Sequence, residues 1–291
     1  MDHPPLWRRI VDFPLVAMLI AIGALIVGIT IAYLIASLAF PADFGVGIEV
    51  RFDVVAIPII LLIYKLLIVR LGEHPRDDLR GTGGLRPLGW GLLGGIVLFS
   101  LIVAVAAALG VYRITDEGDL NGLPKALITS ALFPAISEEI VFRGVLFRWL
   151  EEFAGSWAAL ILTAALFGAG HLMNPNASAI AAVGIAFEAG VMLGAAYMLT
   201  RSLWLPIGLH AAWNFTQGEV YDIPVSGTKV EGMLDARLAG DPLLTGFGFG
   251  LEASIIAIVV ATAFGIWLLA RAIRRGELVQ PSWSRKNQLR A

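Results

Sequence analysis

Apolar residues in this chain come in long unbroken runs, not in the one-face stripe of a soluble amphipathic helix. A hydrocarbon layer of about 30 Å is crossed by roughly 20 apolar helical residues. On that measure eight stretches qualify, near 13–40, 54–70, 88–111, 124–149, 157–173, 177–199, 203–217 and 251–273, and two of them are interrupted by polar residues. The first follows Arg8-Arg9 as a signal peptide would. Its apolar run exceeds the roughly 7–15 residues of a signal h-region, so it is expected to stay as an anchor. The pattern predicts an all-α, polytopic transmembrane helix bundle of about eight spans.

Basic residues orient that bundle. With the N-terminus cytoplasmic, the cytoplasmic segments hold Arg8, Arg9, Arg70, Arg76, Arg80, Arg86, Arg148, Arg201, Arg271, Arg274, Arg275, Arg285, Lys286 and Arg290. The other side holds Arg51, Arg113, Lys125, Lys229 and Arg237, while Lys65 and Arg143 fall within spans. Fourteen against five is a strong positive-inside asymmetry, which predicts an even number of spans and both termini cytoplasmic. Four parts follow: N-terminal helices (1–123, three spans), a polar-bearing core (124–217, four spans), an extracytoplasmic loop (218–250), and a last helix with a basic tail (251–291).

Composition agrees with the pattern. Hydrophobic residues make up 58% of 291 and charged ones 15%, more apolar surface than a water-soluble fold can hide. The 21 basic and 23 acidic residues leave a net charge of -2, which removes nucleic acid as a partner. There is no cysteine, hence no disulfide, thiolate metal site or cysteine nucleophile. Any chemistry falls to carboxylates, histidines and hydroxyls.

Such groups stand where lipid should be. An ionisable side chain at mid-membrane costs about 2.5–3.5 kcal/mol even on the lenient scale. Yet the fourth stretch contains Ser137-Glu138-Glu139-Ile140-Val141-Phe142-Arg143, the fifth Phe167-Gly168-Ala169-Gly170-His171, and the seventh His210-Ala211-Ala212-Trp213-Asn214. The remaining histidines, His3 and His74, each precede proline in polar segments. Glu139 and Arg143 are four apart and share a helix face, so they are expected to pair. Glu138, turned by about 100°, is left for another task. His210 and Asn214 project together, and Pro134 should kink the helix just ahead of Glu138. Freed backbone there must face protein or a water-filled cavity. Lys65 is expected to snorkel to the cytoplasmic edge. Glu188, in the sixth stretch, has no evident partner, and the eight tryptophans read as core and interface anchors.

Glu-Glu-x-x-x-Arg, Phe-x-x-x-His and His-x-x-x-Asn, in this order on membrane helices, resemble the CPBP family. That family comprises the type II CAAX prenyl endopeptidases and their bacterial relatives, also known as Abi proteins. The likeness runs from Pro124 to Gln217 and includes Phe142-Arg143-Gly144 and Ser202-Leu203-Trp204-Leu205-Pro206-Ile207. It implies an intramembrane endopeptidase acting on a membrane-associated protein or peptide, prenylated in one branch of the family. It implies further that Glu138 with His171 activates a water, that Glu139 and Arg143 support them, and that His210 and Asn214 stabilise the oxyanion.

Metal use is open at this level. Glu138, Glu139, His171 and His210 are all plausible zinc ligands, but no His-Glu-x-x-His occurs and Arg143 competes with a cation for Glu139. Glutamate-activated water without a cofactor is preferred. Two rival classes remain: a non-proteolytic scaffold or immunity factor of the same fold, and a carboxylate-relay transporter. Glu138 is ten residues before Arg148 and His210 nine after Arg201, so the wet cavity is expected to open to the cytoplasm. His171 lies about 21 Å along its helix from Trp157, deeper than its partners on that reading. The absence of a retention signal favours a prokaryotic plasma membrane.

Overall fold

A computed structural model describes residues 5–40, 45–80 and 83–288. His3 and Arg290, both assigned to polar ends above, lie outside them. The protein is integral to the membrane, and each of the eight apolar stretches is helical. They are α1 (Pro14–Leu38), α2 (Ile48–Leu66), α3 (Arg86–Ala108), α4 (123–154), α5 (156–170), α6 (Ala179–Thr200), α7 (204–220) and α8 (Ile255–Arg274). The boundaries differ from expectation mainly at α2, which begins at Ile48, and at α8, which begins at Ile255. Among the described residues, six helical runs are long and apolar enough to cross a bilayer. One of them, Leu123–Met173, has 51 residues, or about 75 Å of helix, more than twice a hydrocarbon core. It breaks at Gly155 (φ 84°, ψ 168°), a conformation that a Cβ disfavours. The two rods fold back until the rings of Phe142 and Phe167 meet at 4.9 Å.

The helices touch through seams of small residues. On α1 the buried positions are Ala17, Ala21, Leu25, Gly28, Ala32 and Ala36, while Leu19, Ile26 and Leu38 stay exposed to solvate in lipid. A Cβ on Gly91 or Gly95 of α3 would stand 2.5 Å from the Leu205 carbonyl oxygen and 2.6 Å from that of Leu209. Glycine alone lets α3 approach α7 this closely, and backbone contact of this kind drives helix association in lipid. The seam fixes α7, and with it His210 and Asn214.

The two ends of the bundle differ. At one, Arg76 pairs with Asp78 at 2.7 Å, Arg201 reaches Glu151 and Glu277, and Lys65 meets Asp77 at 2.6 Å, as its snorkelling predicts. At the other, β1 (Tyr112–Glu117) pairs antiparallel with β2 (Leu234–Leu238), from Tyr112 opposite Leu238 to Glu117 opposite Leu234. The Asp222 carboxylate accepts from the Gly232 and Ala236 N–H groups and ties the ribbon to the end of α7. The segment 218–250, expected as a plain loop, is thus a folded cap.

Four π-helical turns occur among the described residues: Leu127–Leu132 and Ile140–Phe147 in α4, Ala186–Val191 in α6, and Thr216–Val220 in α7. Each interrupts regular i→i−4 pairing beside a polar group, and such bulges favour functional positions. The kink expected at Pro134 takes this form, with π turns on either side of Phe133–Glu139.

Candidate active site

Three motifs from distant stretches converge on one cavity of about 720 Å³, whose lining includes Glu138, His171, His210 and Asn214. Glu139 and Arg143 do not reach it. Both side chains are fully buried, with Arg143 Nη1 2.8 Å from Glu139 Oε1. The other Arg143 nitrogen, Nη2, donates to the carbonyls of Ala189 and Gly190, at 3.3 and 3.2 Å. Those carbonyls belong to the π turn of α6, so one guanidinium pins α4 to α6 by charge-assisted bonds. Glu139 is tied down by these bonds, and Glu138 faces the cavity.

Glu139 has a second task that helix spacing did not show. His210 Nδ1 lies 3.0 Å from Glu139 Oε1. Facing a carboxylate already bound to an arginine, Nδ1 carries a proton, which leaves His210 Nε2 pointing at Glu138, 4.0 Å from its Oε2. That oxygen is buried and makes no direct hydrogen bond among the described residues. The 4.0 Å span suits one bridging water or substrate atom.

His171 ends α5. Its Nδ1 is 2.8 Å from the Phe167 carbonyl oxygen, four residues back. A carbonyl only accepts, so Nδ1 donates and Nε2 is the free, basic nitrogen. The Phe167 ring is the hub of the site, with its centroid 4.9 Å from the His171 ring, 6.2 Å from the His210 ring and 4.9 Å from the Arg143 guanidinium carbon. Aromatic and cation–π contacts of this sort add about 0.5–2 kcal/mol each beyond burial. In the sequence Phe167 was only a motif letter.

Asn214 is set by a backbone irregularity. Its Nδ2 donates to the Ser130 carbonyl at 2.9 Å. In an α-helix that carbonyl would accept from residue 134, which is proline and has no N–H. The amide keeps one further N–H for the cavity.

Two residues gain a setting only in three dimensions. Glu188 and Glu252 both line a second, small cavity of about 30 Å³ with His171, His210 and Asn214 on its wall. Among the described residues Glu188 Oε2 is buried without a hydrogen-bond partner, while Glu252 accepts from the Ser226 N–H. Glu252 was passed over in the sequence, although an acid at the head of the last apolar run was its visible signal.

The cavity opens at the end opposite to the one expected. Its rim carries Glu49 and Lys125, an exposed ion pair at 2.8 Å, together with Thr228, Lys229 and Glu231. Toward Arg148 and Arg201 the path is packed shut by fully buried Tyr64, Phe147, Trp149 and Tyr197. The depth anomaly of His171 vanishes with this correction, because the far end of α5 is the open end. Counting residues to the nearest arginine measured distance along a helix but not which end was plugged.

The donor set fits a metal poorly. Glu139 Oε1 already serves Arg143 and His210 Nδ1. Among the described residues, no three His, Asp or Glu side chains converge closely enough to hold an ion.

Comparison with known proteins bears on the same segment. Residues 121–216 match a family described as type II CAAX prenyl endopeptidase Rce1-like. Over 164 residues the chain is 28% identical to the candidate membrane peptidase YdiL of Bacillus subtilis (strain 168). That match takes in 53% of this chain and 64% of the relative, so less than two thirds of the relative's length is covered. No solved structure matches the chain.

Proposed function

We propose, on the premise that this chain belongs to the CPBP family, that it is an intramembrane endopeptidase cleaving a membrane-associated protein or peptide. The observation that carries the proposal is the convergence of Glu138, His171, His210 and Asn214 on one cavity while Glu139 and Arg143 stay sealed behind them. Two groups suited to activating water thus face two suited to stabilising a developing charge.

The reaction needs no nucleophilic side chain. Glu138 takes a proton from a water that also hydrogen-bonds to His171 Nε2, and the water oxygen adds to the scissile carbonyl carbon. Negative charge collects on the carbonyl oxygen, where Asn214 Nδ2 donates. His210 Nε2 donates there too once the ring carries its second proton, because Nδ1–H is held by Glu139. Collapse breaks the C–N bond, and the proton on Glu138 passes to the leaving nitrogen. Glu139 and Arg143 orient His210 and touch no substrate. Zinc on Glu138, Glu139, His171 and His210 is the alternative, and the engagement of Glu139 argues against it. A prokaryotic plasma membrane is the proposed location.

The test compares protein N-termini in membranes carrying the wild type or Glu138→Gln at equal abundance. New N-termini that depend on Glu138 are expected. Identical profiles, with an unchanged cellular phenotype, would overturn the proposal in favour of a scaffold that retains the fold.

A further inference from the structure

The cavity reaches the end of the bundle that carries Glu49, Lys125, Lys229 and Glu231, and the charges on the chain say which side of the membrane that end faces. Arg70, Arg148, Arg201 and Arg274 mark the closed end, where the ion pairs of Arg76 and Arg201 cluster. The open end carries Glu49, Lys125, Lys229 and Glu231 on the rim and the β1–β2 ribbon beside it. Lys and Arg excess marks the cytoplasmic face of a membrane protein, and among the described residues the count is thirteen against five in favour of the closed end. Arg148 stands ten residues after Glu138 on α4, about 15 Å of helix, and toward that end Tyr64, Phe147, Trp149 and Tyr197 are packed with no exposed area.

Resting on the reading of the site as a protease, we infer that its substrate is a peptide segment on the extracytoplasmic side of the membrane, belonging to an exported or membrane-anchored polypeptide. A peptide reaching Glu138 from the cytoplasm would have to displace that aromatic plug. From the other side it enters past the Glu49–Lys125 pair, whose two exposed side chains lose little on separating. The mixed charge of the rim favours a polar, extended segment over a lipid chain. A prenylated cytoplasmic C-terminus, implied by one branch of the family, would sit at the wrong end.

The cysteine-free chain makes the test direct. Single substitutions Lys229→Cys and Glu231→Cys on the rim, and Arg274→Cys at the closed end, are exposed to a membrane-impermeant maleimide. Right-side-out and inverted vesicles are compared. The rim cysteines are expected to react in right-side-out vesicles and to lose that reaction in inverted ones, with Arg274→Cys doing the reverse. The opposite pattern would overturn the inference. Labelling needs no activity, so orientation is decided even if the protein hydrolyses nothing. If it does, Glu138-dependent N-termini are expected in segments outside the membrane. N-termini confined to cytoplasmic segments would overturn the assigned substrate and leave the protease reading intact.

Discussion

Asn214 hydrogen-bonds, at 2.9 Å, to the carbonyl of Ser130, which Pro134 leaves without its α-helical donor. A missing backbone N–H in one helix thus orients a side chain on another. Oriented donors aimed at developing charge are worth about 10²–10³ in kcat each. Asn214→Ala is expected to lower kcat by about that factor with little change in KM. Pro134→Ala restores the N–H that competes for Ser130, so it should leave the fold at least as stable while lowering kcat. Steady-state kinetics beside thermal denaturation in detergent checks both, and a Pro134→Ala enzyme of full activity would sink the account.

The Arg143–Glu139 pair is sealed, with neither side chain exposed. Removing one partner of a buried pair costs about 3–5 kcal/mol, whereas replacing both with apolar groups of similar volume is far milder. Arg143→Met alone should therefore unfold at markedly lower temperature than the Arg143→Met, Glu139→Leu double variant. Equal losses would mean that the bonds from Arg143 to Ala189 and Gly190 carry the stability, not the charge pair.

Glu188 is buried with one carboxylate oxygen lacking a hydrogen-bond partner among the described residues, beside the likewise buried Glu252. An unsatisfied buried polar group costs about 1–3 kcal/mol. Glu188→Leu is expected to raise the melting temperature, and retention of so unfavourable a group would fit a part in the site. Lower thermal stability in this variant would show that Glu188 has a stabilising partner after all.

Hydrolysis by glutamate-activated water predicts indifference to metal. Dialysis of the purified protein against a chelator should leave its peptidase activity unchanged, with less than stoichiometric zinc by elemental analysis. Loss of activity with removal of bound zinc, and its return on adding zinc alone, would reverse that assignment.

Much of the fold was legible because lipid imposes a rule on composition. A spanning segment must be helical and apolar over a set length, so hydropathy located all eight helices. The same rule made Glu138, Glu139, Arg143, His171, His210 and Asn214 conspicuous, since each is costly where it stands. The Glu139–Arg143 pair was also readable, because it is local to one helix. The partners of the remaining groups were not. Ser130 meets Asn214 across 84 residues and Glu139 meets His210 across 71, and spacing within one helix carries no information about such distances. Glu188 found Glu252 beside it only when α6 packed against the turn that precedes α8. The direction of the cavity was misread for a related reason. Sequence places charges at the two ends of a bundle, but which end is plugged depends on how Tyr64, Phe147, Trp149 and Tyr197 pack between helices. Local rules of solvation determined the spans and the candidate residues, whereas contacts between distant segments decided how those residues are oriented and from which side they are reached.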